Sequence, residues 1–214
     1  NYRINIEHAK QLITRRTKAI IPVHLFGMPE NMIEIIKFSK VYNLLIIEDC
    51  SQAHGAKFMG RSVGTFGEFS SMSFEDSKHL SCGEGGLLLG NNEKLMTRVR
   101  QFAGQGFRTL TAQSGIVRLN PKEWQSPEFL RHAQIGYNYR ITEFQAAIAL
   151  AQIENINEIV KIINTDILKY DFEKYYDLVI SNLPYNISSQ ILVKISTLKK
   201  PPKKNFPALR AGNF

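Results

Sequence analysis

Apolar residues occur at two spacings along this chain, and the switching between them predicts its layout. Ala19 to Leu25, A-I-I-P-V-H-L, is a continuous apolar run of strand length, as a buried parallel strand requires. Met32, Ile35, Ile36 and Ser39 then recur at helical spacing, with Pro29 placed for a first helical turn. Leu44 to Ile47 is the next strand, ending at Glu48-Asp49. Strand, helix and strand within about 30 residues form a βαβ unit with a right-handed crossover. Ahead of it, a short strand leads into a helix carrying Ile6, Ala9, Leu12 and Ile13. Behind it, Phe58 to Gly67 is glycine-rich and predicts turns around a short hairpin.

Phe69 to Phe74 reads as a further strand, and Leu87 to Leu89 as a short buried one. Asn91-Asn92-Glu93 is a cap for a helix through Phe102. Residues 104–135 are polar and weakly periodic, and predict loops with some strand. Thr142 to about Ile163 predicts a long amphipathic helix capped by Thr142. D-L-V-I-S, ending at Ser181, is another strand. The fold class is α/β, a mainly parallel sheet with flanking helices.

Composition adds a soluble, globular character: 43% of the 214 residues are hydrophobic and 21% charged. No apolar run is long enough for a membrane span, and no signal peptide opens the chain. Two cysteines, Cys50 and Cys82, argue against a disulfide framework and for a reducing cytoplasm. Net charge is +8, and from Gln190 onward there are six basic residues and no acidic ones. Such an end is read as a solvated tail, with contact to RNA or anionic surfaces as the alternative.

Candidate chemistry gathers in two stretches, Ile47 to Gly55 (I-E-D-C-S-Q-A-H-G) and Ser73 to Gly86 (S-F-E-D-S-K-H-L-S-C-G-E-G-G). Each closes a strand and opens into polar residues and glycine, the place where α/β sheets bind ligands. One edge offers Asp49, Gln52 and His54; the other offers Ser73, Lys78 and a glycine-rich turn. A lysine amine, a carboxylate and several donors suit pyridoxal phosphate. Each of these residues also has an ordinary reading: a surface lysine, a turn-forming aspartate, a loop amide.

Five ordered motifs go further. A-I-I-P-V-H-L-F-G, I-E-D-C-S-Q-A-H-G, G-R-S-V-G-T-F-G, M-S-F-E-D-S-K-H-L-S-C-G-E-G-G and G-Y-N-Y-R-I-T-E-F-Q-A-A-I-A resemble the DegT/DnrJ/StrS aminotransferases across roughly residues 1–160. That resemblance implies a fold-type I large domain over residues 1–163, containing the Schiff-base lysine (Lys78) and the carboxylate facing the pyridine nitrogen (Asp49). It further implies that Gln52 lies beside the ring oxygen, that Ser73 binds phosphate, and that Asn138 reaches the phosphate of a neighbouring subunit in a homodimer. The implied reaction moves an amino group from an amino acid, usually glutamate, to a nucleotide-linked keto sugar. A lysine at position 78, and not a histidine, points to the transaminases over the related dehydratases. The family's upstream segment and its C-terminal small domain have no counterpart here, and the chain lacks a start methionine. A fragment with weak or no activity alone is therefore expected, a non-catalytic dimerising remnant being the alternative.

Residues 164–206 resemble something else. D-L-V-I-S-N-L-P-Y-N-I-S-S-Q-I-L-V-K-I is similar to the KsgA-type rRNA adenine dimethyltransferases. By that likeness Asn182, Leu183, Pro184 and Tyr185 form a methyl-transfer motif, Asp166 matches an S-adenosylmethionine-binding segment, and the substrate is RNA. A junction between two half-enzymes is expected near residues 158–166, with a short βα piece of methyltransferase type after it and a tail over 207–214.

Overall fold

The computed structural model describes residues 3–115, 120–159, 178–181 and 204–207. Contacts divide the chain into two units, Asn1–Lys161 and Ile162–Phe214.

In the first unit, helix α1 (Ile6–Leu12) is capped by Asn5, whose side chain accepts from the His8 N–H. Strand β1 (Ala19–Ile20) is much shorter than the apolar run predicts. Pro22 has no N–H to continue a ladder. Pairing returns only as a single bridge, Val23 to Asp49, before a 3₁₀ turn at Leu25–Gly27. Helix α2 (Met32–Tyr42) starts three residues later than Pro29, so that proline lies outside it. Its inward face is Met32, Ile35, Phe38 and Ser39, and Asn43 ends it in the left-handed conformation.

Strand β2 (Leu45–Asp49) pairs in parallel with β1. A hairpin of β3 (Lys57–Phe58) and β4 (Arg61–Ser62) follows, as its glycines predict. Strand β5 (Phe69–Ser73) is parallel to β2, with Asp49 opposite Ser71. Strand β6 (Gly86–Gly90) turns back antiparallel to β5, giving the order β1-β2-β5-β6. Among the described residues β6 is an edge strand, and Leu87, Leu88 and Leu89 are exposed and not buried as expected. Helix α3 (Glu93–Ala103) begins at the expected cap, Asn92.

The 104–135 region, read from sequence as loop and strand, contains helix α4 (Pro121–Gln125), which has proline in its first turn. Its only described pairings are isolated bridges, Gly104–Asn138 and Phe107–His132. Helix α5 (Glu143–Glu154) carries a complete capping box between Thr142 and Gln145. It stops at Asn155, whose side chain donates to the Ala151 carbonyl, and a short α6 (Ile156–Ile159) follows. The expected single helix is thus broken, and residues 160–163 lie outside the described set. In α5 only Ala149 is fully buried, so the predicted amphipathic face is mostly uncovered in the described part. In the second unit, β7 (Leu178–Ser181) pairs in parallel with β8 (Lys204–Pro207).

One buried carboxylate ties the first unit together. Glu48 shares the inward face of β2 with Ile46 and is fully buried. Its Oε1 accepts from the Phe66 and Gly67 N–H groups at 2.6 and 2.7 Å, and its Oε2 from Gly64 N–H at 2.7 Å. His24 Nε2, 3.1 Å from Oε2, completes the set. Glu30 N–H donates to His24 Nδ1, so the neutral ring carries its proton on Nε2 and donates it to Glu48. Gly67 is required here because a Cβ would come within 2.5 Å of the Ile46 carbonyl oxygen.

Burial alone would raise the Glu48 pKa, but the His24 and backbone donors outweigh it and hold the carboxyl below its ordinary value. A depressed carboxylate pKa stabilises the fold above the unfolded-state value, near 4.3, and that contribution is lost as pH falls through the folded-state pKa. We expect Glu48→Ala to cost at least about 3 kcal/mol, since it strands three buried N–H groups and His24. Urea unfolding at pH 7 and pH 4 measures this: the gap between wild type and variant should narrow at the lower pH.

Candidate active site at the strand ends

The carboxyl ends of β2 and β5 lie side by side, and the Cys50 N–H donates to the Ser71 carbonyl at 2.9 Å just beyond the ladder. From this edge the chain makes two polar turns. In the first, Asp49 Oδ1 accepts from the Ser51 N–H at 2.9 Å. Among the described residues its other carboxylate oxygen receives no bond. Gln52 Oε1 accepts from the Phe26 N–H at 2.9 Å, where Phe26 itself has a positive φ of 56°. That bond fixes the orientation of the amide, leaving its NH₂ as a donor with no described protein acceptor.

In the second turn, Ser73 Oγ accepts from the Glu75 N–H at 3.3 Å, which leaves its own O–H free to donate. Lys78 closes the turn through its N–H to the Glu75 carbonyl, and its Nζ lies 3.6 Å from Glu75 Oε2. This ion pair is partly exposed and weak. Asp76 and Ser77 hydrogen-bond the Glu75 carboxyl and hold it near a pKa of about 2, while Asp76 is pushed upward in exchange. Helix α5 supports the turn from beneath. Gln152 accepts from the Ser81 N–H at 2.7 Å, and Ala149 packs with Phe74, Leu80 and Cys82.

Asp49, Gln52, His54, Ser73 and Lys78 therefore share one sheet edge. Asn138 does not join them within the described residues. It sits opposite Gly104 beyond α3, exposed, with Oδ1 taken by Arg140 Nε at 2.9 Å. Tyr137 and Tyr139 flank it, their rings stacked 5.5 Å apart on the surface.

The donor set fits pyridoxal phosphate. An open carboxylate oxygen can meet a protonated ring nitrogen, a committed amide NH₂ can meet a ring oxygen, and a hydroxyl and an amine flank them. A metal fits less well. His24, Glu48 and Cys50 place ligand atoms within 4.8 Å of one another, yet the Glu48 oxygens are saturated by donors. Burial, first, and then the Glu48 and Asp49 charges push the Cys50 thiol up to about 12, which disfavours the thiolate a metal needs.

Sequence comparison decides the family. The profile of the DegT/DnrJ/EryC1/StrS aminotransferase family matches residues 1–190. The chain belongs to this family. Its members are pyridoxal-phosphate enzymes, and many act in nucleotide-sugar biosynthesis.

The GDP-perosamine synthase of Escherichia coli O157:H7 is 38% identical over 159 residues, 74% of this chain and 39% of that protein. An uncharacterised protein of Methanocaldococcus jannaschii is 31% identical along the whole chain, covering 55% of its own length. Among solved structures, an aminotransferase from Psychrobacter cryohalolentis shares 32% identity with a TM-score of 0.63, covering 73% of this chain and 38% of that one. A GDP-4-keto-6-deoxymannose-3-dehydratase with a trapped PLP-glutamate geminal diamine shares 30% identity with a TM-score of 0.60, over 72% of this chain and 40% of that one. The chain thus spans two fifths to just over half the length of these relatives.

The family match runs through the junction expected at 158–166 and continues to residue 190. It carries the aminotransferase likeness into the stretch that the sequence alone assigned to a methyltransferase. Asp166 and the N-L-P-Y residues Asn182, Leu183, Pro184 and Tyr185 lie outside the described residues.

Sequence reasoning missed Glu48 and His24, which hold Asp49 in place. The signal was available: a glutamate on the same strand face as Ile46 must be paired if the strand is buried. Both cysteines are buried, and Cys50 should resist a disulfide reagent at pH 8 in the folded chain and react only on unfolding. Thiol titration with and without urea reads this out directly.

Proposed function

We propose that this chain carries the catalytic edge of a pyridoxal-phosphate sugar aminotransferase. The amino group would come from an amino acid such as glutamate and pass to a nucleotide-linked keto sugar. The observation that carries this reading is the shared edge: an open Asp49 oxygen, an oriented Gln52 amide and the Lys78 amine at adjacent strand ends.

When bound, the cofactor supplies an electron sink for breaking the Cα–H bond of an amino acid. The protein residues have separate tasks. Asp49 keeps a proton on the ring nitrogen through its free carboxylate oxygen. Gln52 donates to the ring oxygen, its own Oε1 being held by Phe26. The Ser73 O–H would bind phosphate, and Asn138 of one protomer would serve the phosphate held by the other, which makes the proposed working unit a homodimer. The exposed Tyr137–Tyr139 stack beside Asn138 suits burial in such an interface. Lys78 Nζ would hold the cofactor and, as the free amine, would accept and return a substrate proton, a role usually worth about 10²–10⁴-fold in rate. The Glu75 contact must be released for this.

The N-L-P-Y sequence following β7 supports RNA adenine dimethylation with S-adenosylmethionine as a second reading. The family match through residue 190 weighs against it, and calorimetry should show no S-adenosylmethionine binding.

The principal test mixes the chain with pyridoxal phosphate and reduces it with borohydride. We expect a visible absorbance band and a phosphopyridoxyl group on Lys78 by peptide mapping, both absent from Lys78→Ala. A label spread over surface lysines, unchanged by the substitution, would overturn the assignment.

A further inference from the structure

His54 is a buried residue of the first polar turn whose chemistry the proposed reaction leaves unused. It is 2% exposed; among the described residues its ring nitrogens meet no partner at full hydrogen-bond geometry, and the nearby Ser73 backbone, its closest approach to one, pulls its pKa upward. Buried side-chain polar atoms are nearly always bonded, and one left poorly bonded is destabilising. A phenylalanine or leucine would fill the same volume without that cost, so packing alone does not account for an imidazole here.

The position of the ring suggests its role. Its centroid lies 5.7 Å from the Phe74 ring and 6.2 Å from the His79 ring. Phe74 and His79 are the residues immediately before and after the Glu75–Lys78 turn. One side chain from the β2 turn therefore spans the base of the turn that carries the lysine.

The charge state fits the same role. Burial, then the charges of His79 and Lys78, hold the His54 pKa below its usual value. Among the described residues, Lys78 and His79 are the ionisable groups that act on it. A protonated ring would push against both.

We propose that His54 is a positioning residue for Lys78: as a neutral ring packed against Phe74 and His79, it clamps the lysine turn at both ends. The proposal rests on Lys78 being the cofactor-binding lysine. Protonation of His54 should loosen the clamp, and because its pKa is held down, the extra loss of Lys78 reactivity should set in only at a pH lower than the ordinary histidine value of about 6.5.

The test compares the wild type with His54→Phe, which keeps an aromatic wedge, and His54→Gln, which keeps a polar group. Two readouts are taken from pH 5 to 9. One is the rate of borohydride-trapped pyridoxal phosphate incorporation at Lys78; the other is competitive acetylation of Lys78 in the cofactor-free chain, by peptide mass spectrometry.

We expect His54→Phe to stay folded, to incorporate the cofactor about tenfold more slowly, and to lose the extra acid limb in both profiles. His54→Gln should recover part of the rate without the acid limb. Equal rates and superimposable profiles for wild type and His54→Phe would overturn the proposal. No labelling of Lys78 in the wild type would instead reject the functional reading itself, while the acetylation profiles would still decide whether His54 governs Lys78.

Discussion

The architecture of this edge depends on a carboxylate that touches no substrate. Glu48 gathers three backbone donors from the Gly64–Gly67 loop and one from His24, all in the dry interior. The partners lie on two separate segments: the loop that leads into β5, and the turn that leaves β1. With those segments fixed, the next residue along, Asp49, emerges at the strand end with its backbone bridged to Val23. A buried charge is costly unless fully bonded, and this one is fully bonded. Its role is one of specificity of position more than of net stability.

A second layer of support comes from α5. That helix touches the lysine turn through Gln152 and Ala149, far along the sequence from either polar turn. A Cβ on Gly85 would come within 2.7 Å of Cys82 Sγ and 3.0 Å of Ile141 Cδ1, just ahead of the helix. Gly85 therefore serves close approach between the stretch after Lys78 and the lead-in to that helix. Thus the segment that presents Asn138 on the surface continues directly into the helix that carries the lysine turn.

Most of the order of elements was legible in the chain. The helical spacing of Met32, Ile35 and Ser39, the Asn92 and Thr142 caps and the glycine-marked hairpin depend on local physics, and they stand where the pattern puts them. What failed depended on tertiary context. Ala19 to Leu25 looks like one strand, but a proline at its centre ends the ladder and lets His24 turn inward. Leu87 to Leu89 looks buried because leucines usually are, yet exposure of an edge strand depends on neighbours and not on its own composition. Asn155 interrupts a continuous apolar period by bonding its own helix backbone. In the site, residue types named Asp49, Gln52, Ser73 and Lys78, and family likeness gave their roles. The clamp made by Glu48 and His24 was hidden because a charged residue inside a strand is informative only once its partners are known.

The central claim is that two adjacent strand ends form one cradle, with Asp49 facing the ring nitrogen of a cofactor anchored on Lys78. Binding pyridoxal phosphate labelled with ¹⁵N at the ring, and recording its nitrogen resonance in the wild type and in Asp49→Ala, tests this most directly. A protonated ring nitrogen in the wild type that becomes unprotonated in Asp49→Ala at the same pH is the predicted result. An unprotonated nitrogen in both proteins would show that Asp49 does not face the ring, and would contradict the account of this edge.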